Sequence, residues 1–227
     1  MVSVREGAHR KIGHVIVKKE PITPDILQTI VLLYGNKTCK LKDLRITCMC
    51  LLGYAGFLRF SELASLKRSD ISSFPSYVKL YLEKSKTEVY REEREGVISK
   101  HGTITCLVDM LDRYLKLAGT SENSVDYILR YVSFCKSTDS YQLRNSCQIS
   151  YTRAREILLS ALKAVGLDKR QFGLHSLRSG GAIVAAAVGI DDILFKKHGC
   201  WKSDKAKDGY VNENIHVRLS VSKNLGI

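Results

Sequence analysis

One stretch of two-residue alternation interrupts a chain otherwise patterned for helices. Val78, Leu80 and Leu82 alternate with Lys79, Tyr81 and Glu83. This is the mark of a strand buried on one face. The segment Lys84-Ser85-Lys86-Thr87 reads as its turn, and two more short strands fit before Ile104. The expected fold class is therefore mainly α with a small antiparallel β-sheet (α+β).

The helices announce themselves by their ends. Thr23 is placed to cap a helix that opens on Pro24 and Asp25, carries Ile26, Leu27, Ile30, Val31 and Tyr34 at helical spacing, and stops near Gly35. A largely apolar helix is predicted over about 41–55, broken by Gly56, with Ser61 capping a short helix after it. Further helices are predicted over about 105–117 (closed by Gly119), 151–165 (ended by Gly166), 176–188 (stopped at Gly189) and 191–197. Ser203 is placed to cap a last piece that carries Tyr210. The stretch Tyr127–Val132 suits a strand or a helix.

Residues 1–20 are basic and poor in apolar side chains, and read as a linker or arm ahead of one unit over 21–227. There is no apolar run long enough to suggest a signal peptide or a membrane span. Lys and Arg total 36 against 23 Asp and Glu, a net charge of +13 that suits a polyanionic partner. Seven scattered cysteines form no C-x-x-C pair and no zinc-finger spacing, so they read as small core residues in a reducing compartment.

Several residues could surround one phosphate. Arg59 lies at a helix junction among Phe57, Leu58, Phe60 and Leu63, where a guanidinium is held stiffly; its ordinary alternative is a pair with Glu62. His175 and Arg178 lie three apart, on one face at a helix start, where free N–H groups favour an anion. Gly180 and Gly181 then admit a neighbouring backbone. Trp201, the single tryptophan, stands nine positions before Tyr210. Taken singly, each has a plain explanation: a structural histidine, a surface salt bridge, a packed indole, a surface tyrosine.

Taken in order, the segments around Arg59 (R-x-S-E-L), His175 and Arg178 (H-x-L-R), Trp201 (G-x-W) and Tyr210 resemble the tyrosine recombinases of the lambda-integrase superfamily. The stretch Gly199-Cys200-Trp201-Lys202-Ser203-Asp204 resembles the form found in eukaryotic mobile elements of the Crypton and DIRS kinds. The resemblance implies the DNA breaking-rejoining catalytic-domain fold, with Arg59, Lys86, His175, Arg178, Trp201 and Tyr210 as catalytic residues; Lys84 is the alternative to Lys86. It implies double-stranded DNA as partner, no cofactor and no metal, and nuclear action. It also implies a tetramer on DNA, in which a C-terminal segment with Val217, Leu219, Val221 and Leu225 docks on a neighbour or packs on its own domain. Family members usually carry an N-terminal DNA-clamping domain, for which this chain has no room. The rival readings are a type IB topoisomerase-like DNA relaxase, a domesticated non-cleaving DNA-binding module and a basic interaction domain.

Overall fold

The computed structural model describes residues 18–82, 94–144 and 146–201. Its helices are α1 (Pro24–Tyr34), α2 (Leu41–Ala55), α3 (Phe60–Ser65), α4 (Leu107–Leu117), α5 (Tyr151–Ala164), α6 (His175–Ala187) and α7 (Asp192–Gly199). Strands β1 (Ile71–Ser73), β2 (Tyr77–Leu82) and β3 (Arg94–Ser99) form an antiparallel sheet in the order β1-β2-β3. A separate antiparallel hairpin pairs β4 (Tyr131–Cys135) with β5 (Ser140–Arg144).

Helix α2 is the axis of the fold, and α1, α3, α4, α5 and α6 all pack against it. Its residues from Thr47 to Gly53 are all buried, as expected for a helix apolar all round. The α1 boundaries follow the local signals. The Thr23 hydroxyl accepts from the Ile26 N–H at 3.3 Å, and the Gly35 N–H donates to the Val31 carbonyl. Helix α5 opens the same way, with the Ser150 hydroxyl accepting from the Arg153 N–H at 3.2 Å.

Helix α6 is drawn deep into the molecule, with residues 176–182 all buried. Gly180 and Gly181 permit this. A Cβ on Gly180 would collide with the Ile22 carbonyl, and one on Gly181 with the Tyr54 carbonyl. The Ile22 N–H, in turn, donates to the Ser176 carbonyl at 2.9 Å, so the chain before α1 is laced to the start of α6.

The structure corrects three expectations. There are two sheets among the described residues, not one. In Tyr127–Val132, Tyr127 makes only an isolated bridge to Lys67, and regular pairing begins at Tyr131. The cap of α3 is Arg59, with Ser61 already inside the helix. Only Cys48, Cys50 and Cys106 are buried; Cys39, Cys135 and Cys200 are partly exposed and Cys147 is exposed, all as free thiols. Among the described residues no helix is long and apolar enough to cross a membrane, and no His/Cys/Asp/Glu cluster could hold a metal ion.

Candidate active site

The site grows from the turn between α2 and α3. Phe57 takes a left-handed backbone conformation (φ 48°), uncommon for a bulky side chain. Its ring explains why it is tolerated. It stands edge-on to His198 at 4.6 Å and packs with Phe195 and Trp201. The turn leaves its carbonyl to accept a hydrogen bond from Arg178.

Two residues on, Arg59 begins α3. Its backbone N–H donates to Glu62 Oε2 at 2.6 Å and its Nη1 donates to Glu62 Oε1 at 3.0 Å. The pairing with Glu62 considered from sequence is thus present. The Arg59 side chain nonetheless stays 47 % exposed, while that of Glu62 is 9 % exposed.

Arg178 is the opposite case. It lies on the first turn of α6, and its side chain is 1 % exposed. Its Nη1 donates to the Phe57 carbonyl and its Nη2 to the Gly199 carbonyl at 2.9 Å. Nη1 also lies 3.7 Å from Glu62 Oε2, and the guanidinium sits 4.9 Å from the Trp201 ring centroid. A surface salt bridge, the ordinary reading from sequence, does not describe this arginine. Two carbonyls, a carboxylate and a π-face offset the heavy cost of desolvating the cation.

His175, the first residue of α6, is exposed at the surface edge of the same site. Desolvation first, then Arg178, Arg59 and Lys18, push its pKa below the usual 6.5. The imidazole is accordingly neutral near pH 7 and retains a basic nitrogen.

Trp201 is buried, and it does pack as a core side chain, in a small cluster with Phe57, Ala182 and Phe195. Cys200, in the left-handed region (φ 50°), turns the chain back so that the Trp201 N–H donates to the Lys196 carbonyl at 3.0 Å. A side chain at Gly199 would strike the indole. His198 Nε2 donates to the Ala55 carbonyl at 2.7 Å and fastens α7 to the end of α2.

Four of the six sequence-predicted residues are described: Arg59 and Arg178 meet at Glu62, Trp201 packs against Arg178 and the Phe57 turn, and His175 lies on the first turn of α6 near enough to feel Arg178 and Arg59. Lys86, its alternative Lys84, and Tyr210 lie outside the described residues, as do Ser203 and the segment carrying Val217 to Leu225. The sequence reading assigned no site role to Glu62 or Arg94. Arg94 Nη1 is 3.6 Å from Glu62 Oε1, and its side chain is only 12 % exposed. Its signal was present but faint. Arg94, Gly96 and Ile98 alternate on one face of β3, and Gly96 and Ile98 are buried. The flanking Glu93 and Glu95 make the segment look like a solvated charge run.

Comparison with known proteins fits this geometry. The profile of the phage integrase family matches residues 24–216. The chain belongs to the phage integrase family. An integrase/recombinase XerD homolog of Selenomonas ruminantium is 28 % identical over 196 residues, which cover 86 % of this chain and 54 % of the relative. The chain therefore spans about half the length of the curated relative it matches. Among solved structures, the XerA recombinase superposes with a TM-score of 0.65 at 18 % identity, over 92 % of this chain and 64 % of that one. A Tn1549 transposon integrase in complex with circular intermediate DNA gives 0.66 at 10 % identity, over 98 % and 74 %. A lambda integrase dimer bound to a COC' core site gives 0.58 at 20 % identity, over 93 % and 55 %. These structures share the fold: helices with small antiparallel sheets, as in the catalytic domains of this family.

Proposed function

We propose that this chain cleaves and rejoins double-stranded DNA at specific sites through a covalent 3′-phosphotyrosine intermediate. The observation that carries the reading is the meeting of Arg59 and Arg178, distant in sequence, at the buried Glu62 carboxylate, with His175 on the first turn of α6 near enough to feel both cations. Such a set binds a single phosphodiester and supplies positive charge without a metal.

The steps assigned to the residues are these. Arg59 and Arg178 hold the non-bridging oxygens, and the Trp201 indole N–H supports one of them. Tyr210 attacks phosphorus through its phenolic oxygen while His175 accepts the phenolic proton. The bond from phosphorus to the 5′ oxygen breaks, and Lys86 delivers a proton to that leaving oxygen. One phosphoester replaces another, so the reverse step rejoins the strand without ATP. An ordinary tyrosine titrates near about 10, so the cations also favour the developing phenolate.

The G-x-W-x-S-D stretch supports a mobile-element recombinase of the Crypton or DIRS kind, and the free cysteines suit a reducing compartment such as the nucleus. Assembly as a tetramer on two duplexes, with the segment beyond Tyr210 docking on a neighbouring copy, belongs to the same proposal. The excess of basic residues acts mainly on phosphates, so affinity for duplex should fall steeply with salt.

The test uses a duplex nicked near the scissile phosphate, so that the cleaved fragment diffuses away and the adduct accumulates. Wild-type protein should form it, and Tyr210→Phe should form none while still binding the duplex. An adduct that persists in Tyr210→Phe refutes the assignment of the nucleophile.

A further inference from the structure

We propose that Arg94 is a positioning residue of the phosphate site, holding the Glu62 carboxylate so that the Arg59 guanidinium is released to a bound phosphate. The inference rests on reading the site as a phosphodiester pocket.

Three guanidinium groups share one carboxylate. Glu62 Oε1 lies 3.0 Å from Arg59 Nη1 and 3.6 Å from Arg94 Nη1, and Oε2 lies 3.7 Å from Arg178 Nη1. The same four charges act on the thiol of Cys200, so they occupy one small volume.

The three arginines differ in freedom. Their side chains are 47 % (Arg59), 12 % (Arg94) and 1 % (Arg178) exposed. An ion pair half in water separates at little cost, whereas a buried guanidinium held by carbonyls does not. Arg59 is therefore the group that turns toward an incoming phosphate. Its departure would leave Glu62 Oε1, in a side chain only 9 % exposed, without its closest cation. A buried carboxylate stripped of its partner is heavily penalised. Arg94 stands next to the same oxygen and takes over the charge.

Its place in the chain suits the task. Arg94 pairs with Leu82 at the end of the β2–β3 ladder that adjoins the connection, whose sequence carries Lys84 and Lys86. Charge matching agrees. Three guanidinium groups and one carboxylate leave a net charge of two positive units, equal and opposite to the dianionic pentacoordinate phosphorus of strand transfer. Loss of Arg94 halves that surplus, and further loss of the Glu62 charge restores it.

The test compares wild type, Arg94→Gln, Arg94→Lys, Glu62→Gln and the double variant Arg94→Gln/Glu62→Gln. Glutamine at position 62 keeps an acceptor for the α3 start. Inorganic phosphate is titrated against each protein by ³¹P resonance, and adduct formation on nicked duplex is timed in parallel. Arg94→Gln should weaken phosphate binding and slow the adduct by about tenfold or more, as for losing one charge-assisted contact. Arg94→Lys should stay within about threefold of wild type, and the double variant should bind phosphate more tightly and form adduct faster than Arg94→Gln, since removal of the carboxylate frees Arg59 again.

Wild-type behaviour of Arg94→Gln would overturn the proposal. A double variant no better than Arg94→Gln would also overturn it, because Arg94 would then act on the phosphate itself. Should Arg94→Gln not fold, Arg94→Lys decides, and a loss beyond about threefold in that variant would overturn the proposal. A wild-type protein that forms no adduct refutes the recombinase reading, while the phosphate titration still decides the role of Arg94.

Discussion

Helices α3 and α6 each carry an arginine aimed at Glu62, one at the cap and one on the first turn, and the two are held in opposite ways. Arg59 caps a six-residue helix, pairs with a carboxylate three residues on and remains half in water. Arg178 is locked by carbonyls from two distant segments and by an aromatic face, with almost no solvent contact. One cation is adjustable; the other is part of the architecture. A phosphate site benefits from both, because a fixed guanidinium defines where the anion sits and a mobile one closes on it.

The contrast can be broken most forcefully at the seat of α6. Gly181→Ala drives a methyl group into the Tyr54 carbonyl, backbone that cannot step aside. The expected loss is about 3 kcal/mol of unfolding free energy, measured by urea titration. A near-neutral result would mean that α6 is not pressed against α2 as described. Next comes Arg178→Met, which leaves the Phe57 and Gly199 carbonyls without their donor. A loss of about 2–3 kcal/mol is expected, together with loss of strand cleavage. Arg59→Ala should cost less than about 1 kcal/mol of stability, because its ion pair is half exposed. Its cleavage rate should nevertheless fall by roughly 10²–10³. Equal destabilisation by the two arginine substitutions would erase the distinction between the two helix starts.

The smallest effect is one of pH. The folded pKa of His175 lies below its ordinary 6.5, so the unfolded chain takes up the proton first. The stabilisation tied to the neutral ring is present above about 6.5 and is lost as pH falls through the folded value. Unfolding free energy should therefore decline from pH 7 downward more steeply in wild type than in His175→Gln. Parallel curves would show that His175 is shifted neither by desolvation nor by Arg178 and Arg59.

Much of this was legible in the chain because the signals are local. Thr23-Pro24-Asp25 and Gly35 bound α1, Gly166 follows the end of α5, and the alternation from Val78 to Leu82 marks β2. The β4–β5 hairpin was not legible. Its strands are five residues each, and its apolar face of Val132, Phe134, Tyr141 and Leu143 is recognisable only when the two strands are paired. The candidate site divides the same way. His175 and Arg178 stand out because helical spacing places them together, and Gly180 and Gly181 foretold a close backbone approach that the structure contains. The burial of Arg178 could not be read, since it depends on carbonyls from Phe57 and Gly199 far along the chain. Arg94 was hidden among its acidic neighbours because only sheet register gives it an inward face.

The most direct test of the central claim is to locate the covalent bond. Adduct formed on nicked duplex would be digested with trypsin and nuclease, and the nucleotide-bearing peptide sequenced by mass spectrometry. The expected result is one modified peptide, Asp208–Arg218, carrying its nucleotide on Tyr210. Attachment at any other residue, or no attachment from a folded protein that binds the duplex, would contradict it.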